Sequence, residues 1–434
     1  LAALVRLGTP YASRLGADRA RAGVLLRLLV GLGFLAFVHG AGALFPLALA
    51  LGFCLAARAA AGTRAAVPLV WLMALAAIAA KEPNWPVRRY LTFETLAGPR
   101  WAFLDGKAFQ GEYDWAESVN LIVLRLVSFG LDCHRATQGD RKADEGKGAP
   151  PSRRYAVENC FSHAFYAPLF LAGPTIRFDS YLEQCEVSKR SKTPMAWYLL
   201  SVAGGLLAME TLMHMYPCFA LARSGAFLLL GPRLTAAAVF LTLNLIGLKF
   251  LLLWRIARAW ALLDGIDPPE NMRRALCNHY SVMSFWKAWH ASFNRWLVAY
   301  IYVPAGGKTR RIPATALTFL FVALWHDVEA KLLAWGGLNA LFIALEVSAA
   351  AALRPRVDAL LAGGRPWLHR QLCALGGTSC IFLLMAVNMI GYSVGLAGAS
   401  SSAQSAASSA REAVGVFCGG YVFLFSGVQV MFEL

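Results

Sequence analysis

Stretches of about 20 apolar residues recur from one end of this chain to the other, and about 20 is the number a helix needs to cross a bilayer. The candidate spans are 21–38, 41–61, 65–81, 196–217, 224–253, 331–353, 370–398 and 413–434. Shorter apolar pieces lie near 116–131, 161–173, 282–303 and 313–326. Together they predict roughly eight to eleven crossings. Only 15% of the 434 residues are charged and 58% are hydrophobic, against about 25% charged in soluble domains, which excludes a large soluble enzyme. Several of the pieces are broken by Gly, Pro or charge, and irregular backbone is tolerated at membrane depth only where protein encloses it. The expected fold is therefore an all-α polytopic membrane protein, with re-entrant or interfacial helices around a central tunnel.

The formal net charge of +16 fits basic cytoplasmic loops better than a nucleic-acid partner. Its clusters are Lys189, Arg190 and Lys192, then Arg273 and Arg274, then Lys308, Arg310 and Arg311. Nine cysteines form no CxxC pair and stand mostly among apolar neighbours, the pattern of reduced packing residues. The first residue is Leu1 instead of Met, so residues are expected to precede it and no signal peptide can be judged.

The chain reads as one membrane domain over 1–434. N-terminal helices occupy 1–114, a catalytic core 115–350 and C-terminal helices 351–434. Residues 135–155 are polar and rich in Gly and Pro, the composition of a flexible loop, and 399–411 are a low-complexity linker. A turn-rich loop, DGIDPPENMRR at 264–274, leads into the densest aromatic stretch.

That stretch, SFWKAWHASFNRWLVAYIYVPAGGK at 284–308, reads as one helix ended by Pro304, Gly306 and Gly307. In a continuous helix Trp286, His290 and Asn294 share a face, with Trp289, Phe293, Trp296 and Tyr300 beside them. An interfacial aromatic belt is the plain alternative. A second histidine interrupts the apolar run LTFLFVALWHDVEAKLLAWGGL at 317–338, where His326 is followed by Asp327. Ionisable residues in membrane segments are rare and mark either a functional site or a structural pair, such as a helix cap. Both histidines follow a tryptophan, Trp289 and Trp325, which favours the functional reading.

These residues resemble a known family. The pattern WxxWHxSxxRWLxxYIYxPxGG followed by FxxxALWHD is similar to the core of the membrane-bound O-acyltransferases. The likeness is nearest to the branch holding the fungal glycerol-uptake proteins and the Hedgehog acyltransferases. FYAPLFLAGPTIRFDSYLEQ at 165–184 and RLVSFGLDCH at 125–134 resemble two upstream motifs of that branch.

The resemblance implies transfer of a long-chain fatty acyl group from acyl-CoA to an acceptor inside the membrane. It matches His326 to the catalytic histidine of the family and His290 to the second catalytic position. Physical reasoning agrees, because burial disfavours the imidazolium and leaves a neutral histidine free to accept a proton. His326 is then the general base, and His290 holds the acceptor or donates to the developing oxyanion. Asn294, Trp286, Trp289, Trp325 and Asp327 are candidates for contacts with substrate. Lys287, Arg295, Lys308, Arg310 and Arg311 are candidate partners for the phosphates of CoA, with a positive-inside role as the plain alternative for each.

No GxSxG elbow or marked cysteine suggests a covalent intermediate, so direct attack is expected. The remaining histidines lack metal-ligand spacing, and no metal is expected. In the Hedgehog branch a cysteine holds haem; the corresponding position falls near Ala275, with Cys277 two residues on, and this departure leaves acyl-CoA as co-substrate without a required cofactor. The expected partners are membrane lipids and a lipid or lipid-anchored acceptor, such as a lyso-GPI anchor, in the endoplasmic reticulum membrane. A protein N-terminal amine is the alternative acceptor. The rival class is a glycerol or proton-coupled transporter, which would favour inverted repeats with paired broken helices, and the sequence shows none.

Overall fold

A computed structural model of the chain describes residues 19–83, 85–139, 151–186, 193–224, 230–392, 395–408 and 410–433. The basic cluster Lys189, Arg190 and Lys192 lies outside them, as does most of the 135–155 loop. Among the described residues the fold is helical, and the one β-type contact is an isolated bridge between Gly40 and Gln110.

The principal helices are, in order, α1 (Arg19–His39), α2 (Leu44–Ala60), α3 (Ala66–Lys81), α4 (Ala116–Thr137), α5 (Val157–Ala164), α6 (Phe178–Glu186), α7 (Met195–Met215) and α8 (Pro232–Leu263). They continue with α9 (Val282–Ala288), α10 (Ala291–Leu297), α11 (Arg311–His326), α12 (Ala330–Ala362), α13 (Pro366–Tyr392), α14 (Gly395–Ser408) and α15 (Ala410–Met431). Among the described residues seven helices are long and apolar enough to cross a membrane: α1, α7, α8, α12, α13, α15 and the stretch Ala41–Ala60 that contains α2. The protein is thus an integral membrane protein. The expected span at 65–81 appears as α3, which with α11 belongs to a shorter apolar class of 16 residues each.

By its contacts the chain divides into two compact units, residues 1–199 with 253–270 and residues 200–252 with 271–434. In the first unit α4 packs against α2 and α3, and nearly every residue from Ser118 to His134 is buried. Gly130 permits the close approach: a Cβ there would stand 2.8 Å from Val70 Cγ2. The two upstream motifs meet here. Arg125 Nη1 donates to the Ala164 carbonyl at 2.7 Å and Nη2 to that of Leu169, while the Ser128 hydroxyl accepts from the Phe178 amide at 2.8 Å. Tyr166 of the second motif donates to Asp264 Oδ2 at 2.7 Å, and Asp264 is also paired with Arg27 at 2.7 Å. Buried charges need such partners, because an unpaired one costs several kcal/mol.

In the second unit α11 and α12 form an antiparallel hairpin, and α12 packs in turn on α13. Gly336 sets the first contact, since a Cβ there would lie 3.0 Å from both Ala323 Cβ and the Phe319 carbonyl oxygen. Of the stretch 399–411, expected as a linker, residues 399–408 are helical within α14 and 410–411 begin α15. Its alanines have the highest helix propensity of any residue, and the serines among them, weaker helix formers that lack the ring or φ constraint of a true breaker, do not end the helix.

Candidate active site

His290 sits where the sequence predicts the middle of a helix, and the helix is broken there. α9 stops at Ala288, Trp289 is extended at φ −79° and ψ 133°, and His290 takes the left-handed conformation at φ 45° and ψ 46°. It is the single non-glycine residue with positive φ among the described residues. A side chain in this region is sterically disfavoured and persists when its surroundings hold it there, often at functional sites.

What holds it is the loop before α9. The Asn271 carbonyl accepts from the Ala291 amide at 2.9 Å, and Asn271 Oδ1 accepts from the Ser292 amide at 3.0 Å. The Arg273 amide donates to the Ala288 carbonyl at 3.5 Å, so residues 271–273 bind the chain on both sides of the break. The His290 carbonyl then accepts from the Asn294 amide at 2.9 Å and starts α10. The expected single face of Trp286, His290 and Asn294 is therefore lost. Helical periodicity ends where the first amides of a new helix are satisfied from outside it.

The start of α9 is held as firmly. Ser281 caps it by accepting from the Ser284 amide, and Glu346 of α12 accepts from the Met283 amide at 3.0 Å and from the Ser281 hydroxyl at 2.5 Å.

His326 ends α11, because Asp327 leaves the helix in an extended conformation at φ −166°. Its imidazole is half-buried among three aromatic rings, with centroids 4.8 Å away for Trp325, 5.9 Å for Trp335 and 5.9 Å for Tyr392. Trp325 also reaches His290 at 6.3 Å and Phe293 at 4.4 Å, so the two histidines share one buried indole. The His290 segment belongs to none of the candidate spans, and burial together with the His326 imidazole pushes the His290 pKa down to about 3. Burial disfavours the charged imidazolium, so His290 is neutral.

Two tryptophan–asparagine bonds fix the wall behind His326. Trp335 Nε1 donates to Asn388 Oδ1 at 3.2 Å, and Trp286 Nε1 donates to Asn339 Oδ1 at 2.9 Å. Each asparagine returns its Nδ2 to a carbonyl one turn back in its own helix, Asn388 to Leu384 and Asn339 to Trp335. Trp286, expected near substrate, belongs to this wall, 5.4 Å from Trp335. Trp289 stacks on Phe285 at 5.9 Å and meets Phe250 edge-on at 6.0 Å.

The cations that follow the aromatic stretch sit a helix length from His326. Arg311 begins the helix that His326 ends, about 22 Å away at 1.5 Å per residue, and Lys308 and Arg310 precede it. All three are exposed, as are Lys287 and Arg295, and Arg311 donates to Met283 Sδ at 2.9 Å. Asn294 is half-buried within α10.

Four residues of this site are absent from the sequence expectations: Trp335, Asn339, Asn388 and Tyr392. The two asparagines carried a legible signal, since a polar residue inside an apolar span is rare and calls for a partner.

The membrane-bound O-acyltransferase family model matches residues 105–367, a segment that contains both histidines and the hairpin presenting His326. The chain belongs to the membrane-bound O-acyltransferase family. Among curated members, Membrane-bound O-acyltransferase GUP1 of Saccharomyces cerevisiae is 34% identical over 350 residues, which cover 74% of this chain and 60% of that one. The Schizosaccharomyces pombe protein of the same name is 32% identical over 429 residues, covering 94% of this chain and 71% of its own. Protein-cysteine N-palmitoyltransferase HHAT of Mus musculus is 26% identical over 289 residues, or 62% of this chain and 55% of that one. The chain thus spans between about half and 71% of the length of these membrane-bound O-acyltransferase relatives.

The position that the resemblance gives to a haem-ligating cysteine is held by a different residue here. That residue is Ala275, and Cys277 is an exposed free thiol. Among the described residues no group of three His, Cys, Asp or Glu side chains could hold a metal ion.

Proposed function

We propose that this protein transfers a long-chain acyl group from acyl-CoA to a hydroxyl of a membrane lipid, with His326 as general base. The observation carrying this reading is the placement of His326 and His290 against one buried indole, Trp325, at the end of an apolar helix. In the reaction, His326 takes the proton of the acceptor hydroxyl as its oxygen attacks the thioester carbonyl. The new C–O bond forms, the C–S bond breaks, and the CoA thiolate leaves and is protonated. A positioned base of this kind contributes typically ~10²–10⁴-fold. His290, neutral and locked in its turn, orients the acceptor or donates to the oxyanion.

The exposed cations at Lys308, Arg310 and Arg311 suit the phosphates of CoA, which would then extend along α11 toward His326. The higher identity to the fungal O-acyltransferases, compared with the mouse N-palmitoyltransferase, supports a hydroxyl acceptor. A lyso-GPI anchor in the endoplasmic reticulum membrane is the acceptor this reading favours.

Membranes expressing the protein are expected to move label from long-chain acyl-CoA into a lipid. His326→Ala should abolish that transfer while the chain still inserts, and equal labelling by the two proteins would refute the assignment of the base. Label recovered in protein instead of lipid would refute the acceptor and leave the base standing.

A further inference from the structure

Asn271 Nδ2 is a fully buried amide nitrogen without a hydrogen-bond partner in the protein. Which end of this side chain is nitrogen follows from its neighbour. The Ser292 amide can only donate, so the atom 3.0 Å from it must be the oxygen, and the NH₂ group is the one left over. A buried donor without an acceptor loses its hydration and gains nothing in return, and native interiors seldom carry one without a use for it.

Its position suggests the use. Through its carbonyl and its Oδ1, Asn271 holds the two residues that follow His290, so the orphan amide belongs to the same turn as the candidate catalytic histidine. Three ties close this turn on both sides of the helix break, which keeps the side chain from swinging aside. A rigid, neutral, dehydrated N–H donor is what acyl transfer requires where charge develops on the thioester oxygen.

We propose that Asn271 is a further catalytic residue, whose Nδ2 donates a hydrogen bond to the carbonyl oxygen of the acyl donor as it becomes an oxyanion. The proposal rests on the acyl-transfer reading above and adds a donor to it. Asn271 Oδ1 keeps the His290 turn closed while Nδ2 acts on substrate.

Three substitutions separate these two roles. Asn271→Asp keeps an acceptor for Ser292 and loses the donor, Asn271→Ser keeps a shorter version of both, and Asn271→Ala loses both. In detergent-solubilised full-length protein, with labelled long-chain acyl-CoA, the Asp and Ala chains are expected to lose about 10²-fold in kcat with KM changed little, the usual cost of one oxyanion donor. The Ser chain should recover at least part of that loss. An Asp chain that turns over like the wild type would overturn the proposal, because positioning alone would then account for Asn271. If the Asp chain does not fold, the Ser and Ala chains decide: equal kcat in these two overturns it as well. His326→Ala is assayed alongside. An inactive His326→Ala chain with a fully active Asp chain removes this inference alone, whereas a fully active His326→Ala chain removes the underlying reading.

Discussion

Gly391 near the end of α13 tests whether the aromatic wall positions His326. A methyl group in its place would stand 2.6 Å from Trp335 Cδ1, 3.0 Å from Cγ and 3.3 Å from Cβ. Ordinary contact begins near 3.4 Å, so the indole must retreat by about 1 Å. These are atoms at the root of the ring, and no rotation about the end of a flexible chain relieves them. Trp335 is 1% exposed, tied to Asn388, and bounded by Trp286, Phe319 and Tyr392, so its displacement is passed to the His326 imidazole it meets at 5.9 Å. Overpacking of this kind costs about 1–3 kcal/mol of stability. A misplacement of about 1 Å at a reacting group costs on the order of 10²-fold in rate. Gly391→Ala is therefore expected to fold, to melt a few degrees lower and to lose about 10–10²-fold in kcat for acyl transfer. Gly337→Ala is the control, because a Cβ there meets nothing within 4 Å. Wild-type turnover by Gly391→Ala would refute the view that Trp335 sets the position of His326.

Two further outcomes follow from groups around the broken helix. His290 and His279 are held down to about 3 and about 4 from 6.5, chiefly by burial. The unfolded chain therefore binds protons that the folded one refuses, and stability should fall as pH drops below about 6.5 toward 4; His279→Gln should flatten this acid limb in detergent melts, and an unchanged limb would refute the cause. Glu346→Ala removes the acceptor for the Met283 amide and the Ser281 hydroxyl and should cost about 1–3 kcal/mol by thermal unfolding, with partial recovery in Glu346→Gln, whose carbonyl oxygen still accepts one bond.

The membrane class was legible in the residues themselves, and so were the two histidines on which the proposed site is built. Apolar runs of bilayer length leave the backbone no partner other than its own helix, so composition and spacing suffice for the class. A histidine in such a run stands out for the same reason. The site's other half was less legible. Trp335 and Tyr392 look like ordinary residues of apolar spans, and their meeting with His326 depends on how α11, α12 and α13 pack. The cations Lys308, Arg310 and Arg311 are close to His326 in sequence and a helix length from it in space.

His290 marks the boundary most clearly. The residue stood out beside Trp289, yet its conformation did not, because nothing in SFWKAWHASFNRW announces a helix break. The break is decided by Asn271, which takes the Ala291 and Ser292 amides. Local sequence determines where a helix is able to form; a hydrogen-bond acceptor brought in by the tertiary fold decides where it stops.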